Sequence, residues 1–190
     1  MTGPARPPFG NFDTVHPALE VTDLLPAPVA AALKHPDARE TAASVLYVDT
    51  DPDKADTAAF CETYDAPLEA SANCVVVAAK RGGETTLAAC LGLAHTRIDV
   101  NRAVRKHLGA RKASFAAMET AVAETGMEYG GITPIGLPGG WPLLIDEAVV
   151  ATPYVLIGSG RRRGKLILPG SALALLPGAE VLADLCTPVP

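Results

Sequence analysis

The apolar run Cys74-Val75-Val76-Val77-Ala78-Ala79 constrains the fold more than any other stretch of this chain. It has no polar residue to mark a solvent face, the pattern of a strand covered on both sides. The run ends at Lys80-Arg81-Gly82-Gly83, a turn signal, and Thr85 to Leu93 supplies a returning strand. The pair reads as a buried antiparallel hairpin.

Other elements surround it in mixed order. Residues 17–34 carry apolar side chains at helical spacing, broken by Pro26 and Pro28, which predicts two short helices or one with an interrupted start. Val45 to Val48 suits a short strand. Asp51-Pro52-Asp53 is a helix start with carboxylates near the N-terminal dipole, so a helix is expected over 54–65. Asp99 is a good N-cap for a basic helix over 100–108, closed by Gly109. Ser114 is read as the cap of a helix over 115–125, without a capping box because Ala117 stands three residues on, and Gly126 ends it. Strands are expected at Pro142 to Ile145 and Pro153 to Ile157. Gly158-Ser159-Gly160 turns the chain, Lys165 to Leu168 returns it, and a short helix follows at 170–176. No regular βαβ repeat and no internal repeat is visible. This predicts an α+β fold, a single domain with a mixed, mostly antiparallel β-sheet flanked by helices. Residues 1–15, rich in Pro and Gly, are expected to form a flexible tail before a domain over 16–190.

Composition narrows the function classes. Apolar residues make up 48% of the chain, which excludes general disorder, and with aromatics at 5% the core must be built from Ala, Val and Leu. A net charge of −5 argues against binding nucleic acid through global charge and leaves room for a local basic patch. There is no apolar run long enough to span a membrane and no signal-peptide core, so a cytoplasmic protein without membrane contact is expected. Cys61, Cys74, Cys90 and Cys186 show no metal-ligand spacing and read as free thiols, with a pairing left open. His16, His35, His95 and His107 are too widely spaced for a metal site. No nucleophile elbow, phosphate-binding loop or dinucleotide motif occurs. The sequence calls for no metal and no organic cofactor.

Residues 130–140, Gly-Gly-Ile-Thr-Pro-Ile-Gly-Leu-Pro-Gly-Gly, hold the most informative chemistry. Glycine admits positive φ and close backbone approach, and proline stiffens the loop. Such a loop can aim backbone N–H groups at an anionic or carbonyl oxygen, or can be an ordinary double turn. Asp146 ends an apolar strand, where a carboxylate either faces a pocket or caps the next turn. Arg161-Arg162-Arg163 with Lys165 forms a cationic hairpin suited to phosphate, or a solvated turn. Asn101, Arg102, Arg105, Lys106, Arg111 and Lys112 form a second, dispersed basic stretch that can be a plain exposed face.

Three of these features, in order, resemble the YbaK/ProX family of aminoacyl-tRNA editing domains, over about residues 55–177. Gly130-Gly131-Ile132-Thr133-Pro134-Ile135-Gly136-Leu137 is similar to the family's Gly-x-x-x-Pro loop. The Leu-Leu-Ile-Asp146 strand and the Gly158-Ser159-Gly160-Arg161-Arg162 hairpin follow at family-like distances. The resemblance implies a trans-editing hydrolase that deacylates mischarged aminoacyl-tRNA. Gly130 and Gly131 would supply oxyanion-facing backbone, with Thr133 in the same loop and Pro134 stiffening it. Gly136, Asp146, Gly158, Gly160, Arg161 and Arg162 would bind the tRNA acceptor end, and an aminoacyl-tRNA synthetase is a further partner. The chain departs from the family at two places. Asn73 stands where many members have a lysine, and Lys165 falls where some have an aspartate. Two readings follow: a pocket whose cation is delivered from Lys165, with Asn73 donating a neutral hydrogen bond, or a weak or inactive relative that binds tRNA ends or a synthetase.

Overall fold

In the computed structural model, which describes residues 6–189, the expected hairpin is the centre of the molecule. The strands are β1 (Val15–Pro17), β2 (Leu46–Val48), β3 (Ala72–Arg81), β4 (Glu84–Leu93), β5 (Thr96–Ile98), β6 (Lys112–Phe115), β7 (Leu143–Asp146), β8 (Val155–Gly158), β9 (Lys165–Leu168), β10 (Ala179–Leu182) and β11 (Cys186–Pro188). The α-helices are α1 (Ala27–Lys34), α2 (Arg39–Ala43), α3 (Thr57–Tyr64), α4 (Arg105–His107), α5 (Met118–Thr125), α6 (Glu147–Ala151) and α7 (Gly170–Leu173). Strands β3 and β4 pair antiparallel from Ala72 opposite Leu93 to Arg81 opposite Glu84. Gly82 and Gly83, at φ +59° and +88°, make the turn between them, a conformation that admits glycine twice in a row.

Two main sheets carry the fold. One has the order β10-β7-β4-β3-β6, with β7 parallel to both β4 and β10 and the rest antiparallel. The other is antiparallel, in the order β1-β2-β9-β8. A bridge between Ser71 and Leu156 marks where the β3 end of the first sheet meets the second. Leu91 and Ile145 of the first sheet pack with Ile157, Leu166 and Leu168 of the second, and α1 covers them with Val29 and Leu33. On the outer face of the first sheet, Val77, Cys90 and Leu144 pack with Val100 and Val104. The α+β class and the mostly antiparallel strands agree with the sequence reading, with the strands divided between sheets rather than gathered into one.

Three expectations need correction. Ser114 is not a helix cap. It lies in β6, opposite Ala78, because pairing with β3 takes residues 112–115 into the sheet. Helix α5 begins only at Met118, behind Ala117, with no side-chain cap. The helix expected over 54–65 starts later, since Asp51 caps a separate single turn at Pro52–Lys54. Within the tail expected over 1–15, residues 9–15 are packed rather than free. Phe9, Phe12 and Val15 pack on the third apolar cluster, Phe12 stacks on Tyr64 at 5.5 Å, and the Asn11 N–H donates to the Tyr64 carbonyl. Residues 1–5 lie outside the described residues. All four cysteines are free thiols, and burial pushes the Cys90 thiol up to about 12. Among the described residues no helix is long and apolar enough to cross a membrane.

Candidate active site

The glycine loop and the β8–β9 hairpin touch backbone to backbone. A Cβ on Gly158 would overlap the carbonyl oxygens of Gly131 and Ile132, and one on Gly131 would overlap the Arg161 backbone. Two hydrogen bonds fix the contact: Gly160 N–H donates to the Gly131 carbonyl at 2.7 Å, and Glu128 N–H to the Gly160 carbonyl at 2.9 Å. The Gly131 N–H donates to the Glu128 carbonyl. Gly131 therefore builds the loop, and its own N–H is already engaged. The N–H groups of Gly130 and Ile132 have no hydrogen-bond partner among the described residues.

Beside this contact lies a cavity of about 380 Å³, bounded by Asp56, by Thr57 and Phe60 of α3, by Ser71 and then Ala72 to Val76 of β3, by Phe115, by Tyr129 to Gly130 with Ile132, and by Leu156 to Gly158. Its open wall at β3 exists because β6 pairs with β3 only from Val77 onward. Lys165 also lines the cavity. As the first residue of β9, held between β2 and β8, it cannot swing to solvent and is 8% exposed. Its Nζ donates to the Ala55 carbonyl at 3.3 Å and stands 5.4 Å from the Phe60 ring centroid. Burial, with a further push from the nearby Arg162 charge, lowers its pKa. Asn73 is on the same cavity wall, and its Oδ1 accepts from the Thr57 hydroxyl at 3.3 Å. The structure thus brings Asn73, Gly130, Gly158 and Lys165 to one cavity.

The other residues singled out in the sequence are placed differently. Thr133 is fully buried off the cavity wall, with its hydroxyl unpartnered among the described residues. Pro134 and Gly136 border a second, larger cavity of about 840 Å³ beneath α1 and α2. Asp146 is a structural tie: Oδ1 accepts from the Ala148 N–H, capping α6, and Oδ2 accepts from the Cys186 N–H. The arginine run is engaged internally. Arg161 donates to the Leu25 carbonyl, and Arg162 donates to the Pro52 carbonyl and lies 3.8 Å from Asp56. Arg163 grips Asp49 with two hydrogen bonds of 2.7 and 2.6 Å, which hold the Asp49 carboxyl below the usual carboxylate range. Gly160 packs under Pro26 and Val29. Sequence reasoning missed Phe60, Phe115 and Tyr129. Phe115 and Tyr129 are 60% and 59% exposed at the cavity mouth. The available signal was the placement of Tyr129 directly before the glycine loop in a chain with four tyrosines.

A stiff glycine loop locked on a hairpin, beside a cavity holding a buried amine, defines an α+β domain built around backbone donors. Residues 51–175 match the aminoacyl-tRNA editing domain family, and the chain belongs to it. The family's work is aminoacyl-tRNA editing. No curated protein matches the chain. Among solved structures, a candidate trans-editing enzyme for prolyl tRNA synthetase is similar at a TM-score of 0.63 and 20% identity, covering 78% of this chain and 96% of that one. The hypothetical protein APE2540 is similar at 0.69 and 19%, covering 79% and 96%. A signal transduction protein candidate from Marinobacter aquaeolei VT8 is similar at 0.54 and 18%, covering 86% of this chain and 31% of the other. These likenesses establish the shared fold.

Proposed function

We propose that this chain deacylates mischarged aminoacyl-tRNA in trans, hydrolysing the ester at the tRNA 3′ end. One observation supports this most: the desolvated Lys165 side chain lines the same cavity as Gly130 and Ile132, two residues whose backbone N–H groups have no partner among the described residues. Water adds to the ester carbonyl, the carbon–oxygen bond to the ribose breaks, and the products are the free amino acid and a ribose hydroxyl. The negative charge that develops on the carbonyl oxygen is met by backbone donors, each worth roughly 10²–10³ in rate. Lys165, as ammonium, adds a cation in a poorly hydrated place, where its field is strongest. Water is the nucleophile, and Asp56, the carboxylate on the cavity wall, or solvent takes up its proton. A lowered Lys165 pKa means the ammonium is lost earlier as pH rises, so turnover falls through that folded pKa.

A second reading is favoured by Asn73, a neutral amide at the position where the resemblance places the lysine of many family members. It describes a binding module with little turnover. The test is a deacylation panel on tRNA charged separately with alanine, cysteine, serine, threonine and proline. Turnover by wild type that disappears in Lys165→Ala supports the hydrolase. Inactivity of wild type on every substrate, with activity gained in Asn73→Lys, supports the binding module and overturns the hydrolase.

A further inference from the structure

We infer that the far end of β3, the start of β6 and helix α4 form a docking face for the phosphodiester backbone of the tRNA acceptor stem. This rests on the tRNA substrate proposed above. Residues 80–112 hold eight of the chain's sixteen Lys and Arg and only two of its twenty-one Asp and Glu. A chain of net charge −5 therefore concentrates its positive charge in one stretch.

The fold brings six of these eight cations to one end of the first sheet, around its edge strand β6, with Lys80 and Lys112 on one face and Arg81 on the other. Lys80 and Lys112 are cross-strand partners, and the Arg111 N–H donates to the Lys80 carbonyl at 2.8 Å. Arg81 reaches over to Gly109, where a Cβ would sit 3.2 Å from its Nη1. Arg105 and Lys106 follow on α4. All six cations are exposed, and none forms an ion pair among the described residues. Like charges placed directly opposite across a ladder destabilise it. A polyanion laid over them reverses that cost and releases its counterions.

The face is continuous with the cavity. From Lys112 the strand runs to Phe115 at the cavity mouth, about 10 Å at strand rise. Phe115, with Tyr129 across the mouth, offers exposed rings on which unpaired bases of the 3′ end can stack. Phosphates would lie on the basic face, bases at the aromatic rim, and the ester beside Lys165.

The test is binding of uncharged tRNA across a salt series, comparing wild type with the fourfold variant Lys80→Gln/Arg81→Gln/Arg111→Gln/Lys112→Gln. A double variant, Arg111→Gln/Lys112→Gln, guards against misfolding, which circular dichroism checks. The fourfold variant is expected to lose roughly tenfold or more in affinity at low salt, with its log–log salt slope reduced by about three to four. The double variant should lose about half of that slope change. Turnover of a small aminoacyl-adenosine ester should be equal in all three proteins. Wild-type tRNA binding with an unchanged slope in both variants overturns the docking face and leaves the hydrolase standing. Wild-type binding that depends on the face, without turnover of any ester, keeps the face and removes the hydrolase. Absence of tRNA binding by wild type overturns both.

Discussion

Two stretches of this chain are rich in arginine, and they use it in opposite ways. In the 158–165 hairpin the guanidinium groups of Arg161, Arg162 and Arg163 are engaged with the Leu25 carbonyl, the Pro52 carbonyl and Asp49. They anchor the hairpin to the N-terminal third of the chain. In residues 80–112 the lysines and arginines are exposed and form no ion pair among the described residues, and Lys80 faces Lys112. The densest basic run is therefore an internal fastener, and the more dispersed one carries the outward field. An acidic partner neutralises a cation's field at a distance, so the partners of each charge decide what it can recruit.

The largest effect that tests this contrast is expected at Gly158. The methyl of Gly158→Ala would meet the carbonyl oxygens of Gly131 and Ile132, and neither backbone segment can yield without opening the glycine loop. Overpacking of this kind costs about 1–3 kcal/mol, and displacing the loop's donors should lower deacylation about 100-fold or more. Affinity for uncharged tRNA should hold, because the docking face is untouched. Thermal unfolding, turnover and tRNA binding measured on one preparation decide it. Parallel loss of turnover and affinity would place tRNA binding on the hairpin and break the contrast.

Lys165 gives a smaller effect and a sharper one. Its charge is desolvated, supported by one carbonyl and one ring face. Its folded pKa lies below the ordinary 10.5, so between those values the unfolded chain holds more protons than the folded chain. Stability therefore rises with pH across that window and is lower where the ammonium persists. Lys165→Met should raise the melting temperature by a few degrees near neutral pH and remove that slope. Deacylation should fall about 100-fold with tRNA affinity unchanged. A lower melting temperature would show that the amine stabilises the fold, contrary to a cation retained for function.

What the sequence made legible and what it hid divide along the same line. The β3–β4 hairpin was readable because the apolar run and the Gly82-Gly83 turn are local signals. The β8–β9 hairpin and its glycines were readable for the same reason. Ser114 misled because cap chemistry is local while β6 is made by a partner strand more than thirty residues away. Asp146 stood open between pocket and cap, and only the fold supplies the Cys186 N–H that its second oxygen accepts. The roles of the three arginines were hidden because their partners lie more than a hundred residues upstream. Lys165 was equally hidden: its burial follows from β9 being flanked on both sides.

The smallest expected effect belongs to Arg163, and it tests the contrast most directly. Its pair with Asp49 is doubly hydrogen-bonded, yet the arginine side chain is 65% exposed and the aspartate 29%. Such an exposed pair contributes little to stability after screening. The Asp49 carboxyl is held below its ordinary 3.8, mainly by the Arg163 hydrogen bond. The pair's contribution is therefore present above that value and lost as pH falls through the folded pKa. Arg163→Gln should lower stability slightly at neutral pH, and the difference from wild type should vanish in acid. Its salt slope for tRNA should match that of wild type, although one arginine has been removed. A slope reduced by about one would mean that Arg163 leaves Asp49 to meet a phosphate. The hairpin would then present charge after all, and the two basic stretches would differ in degree rather than in kind.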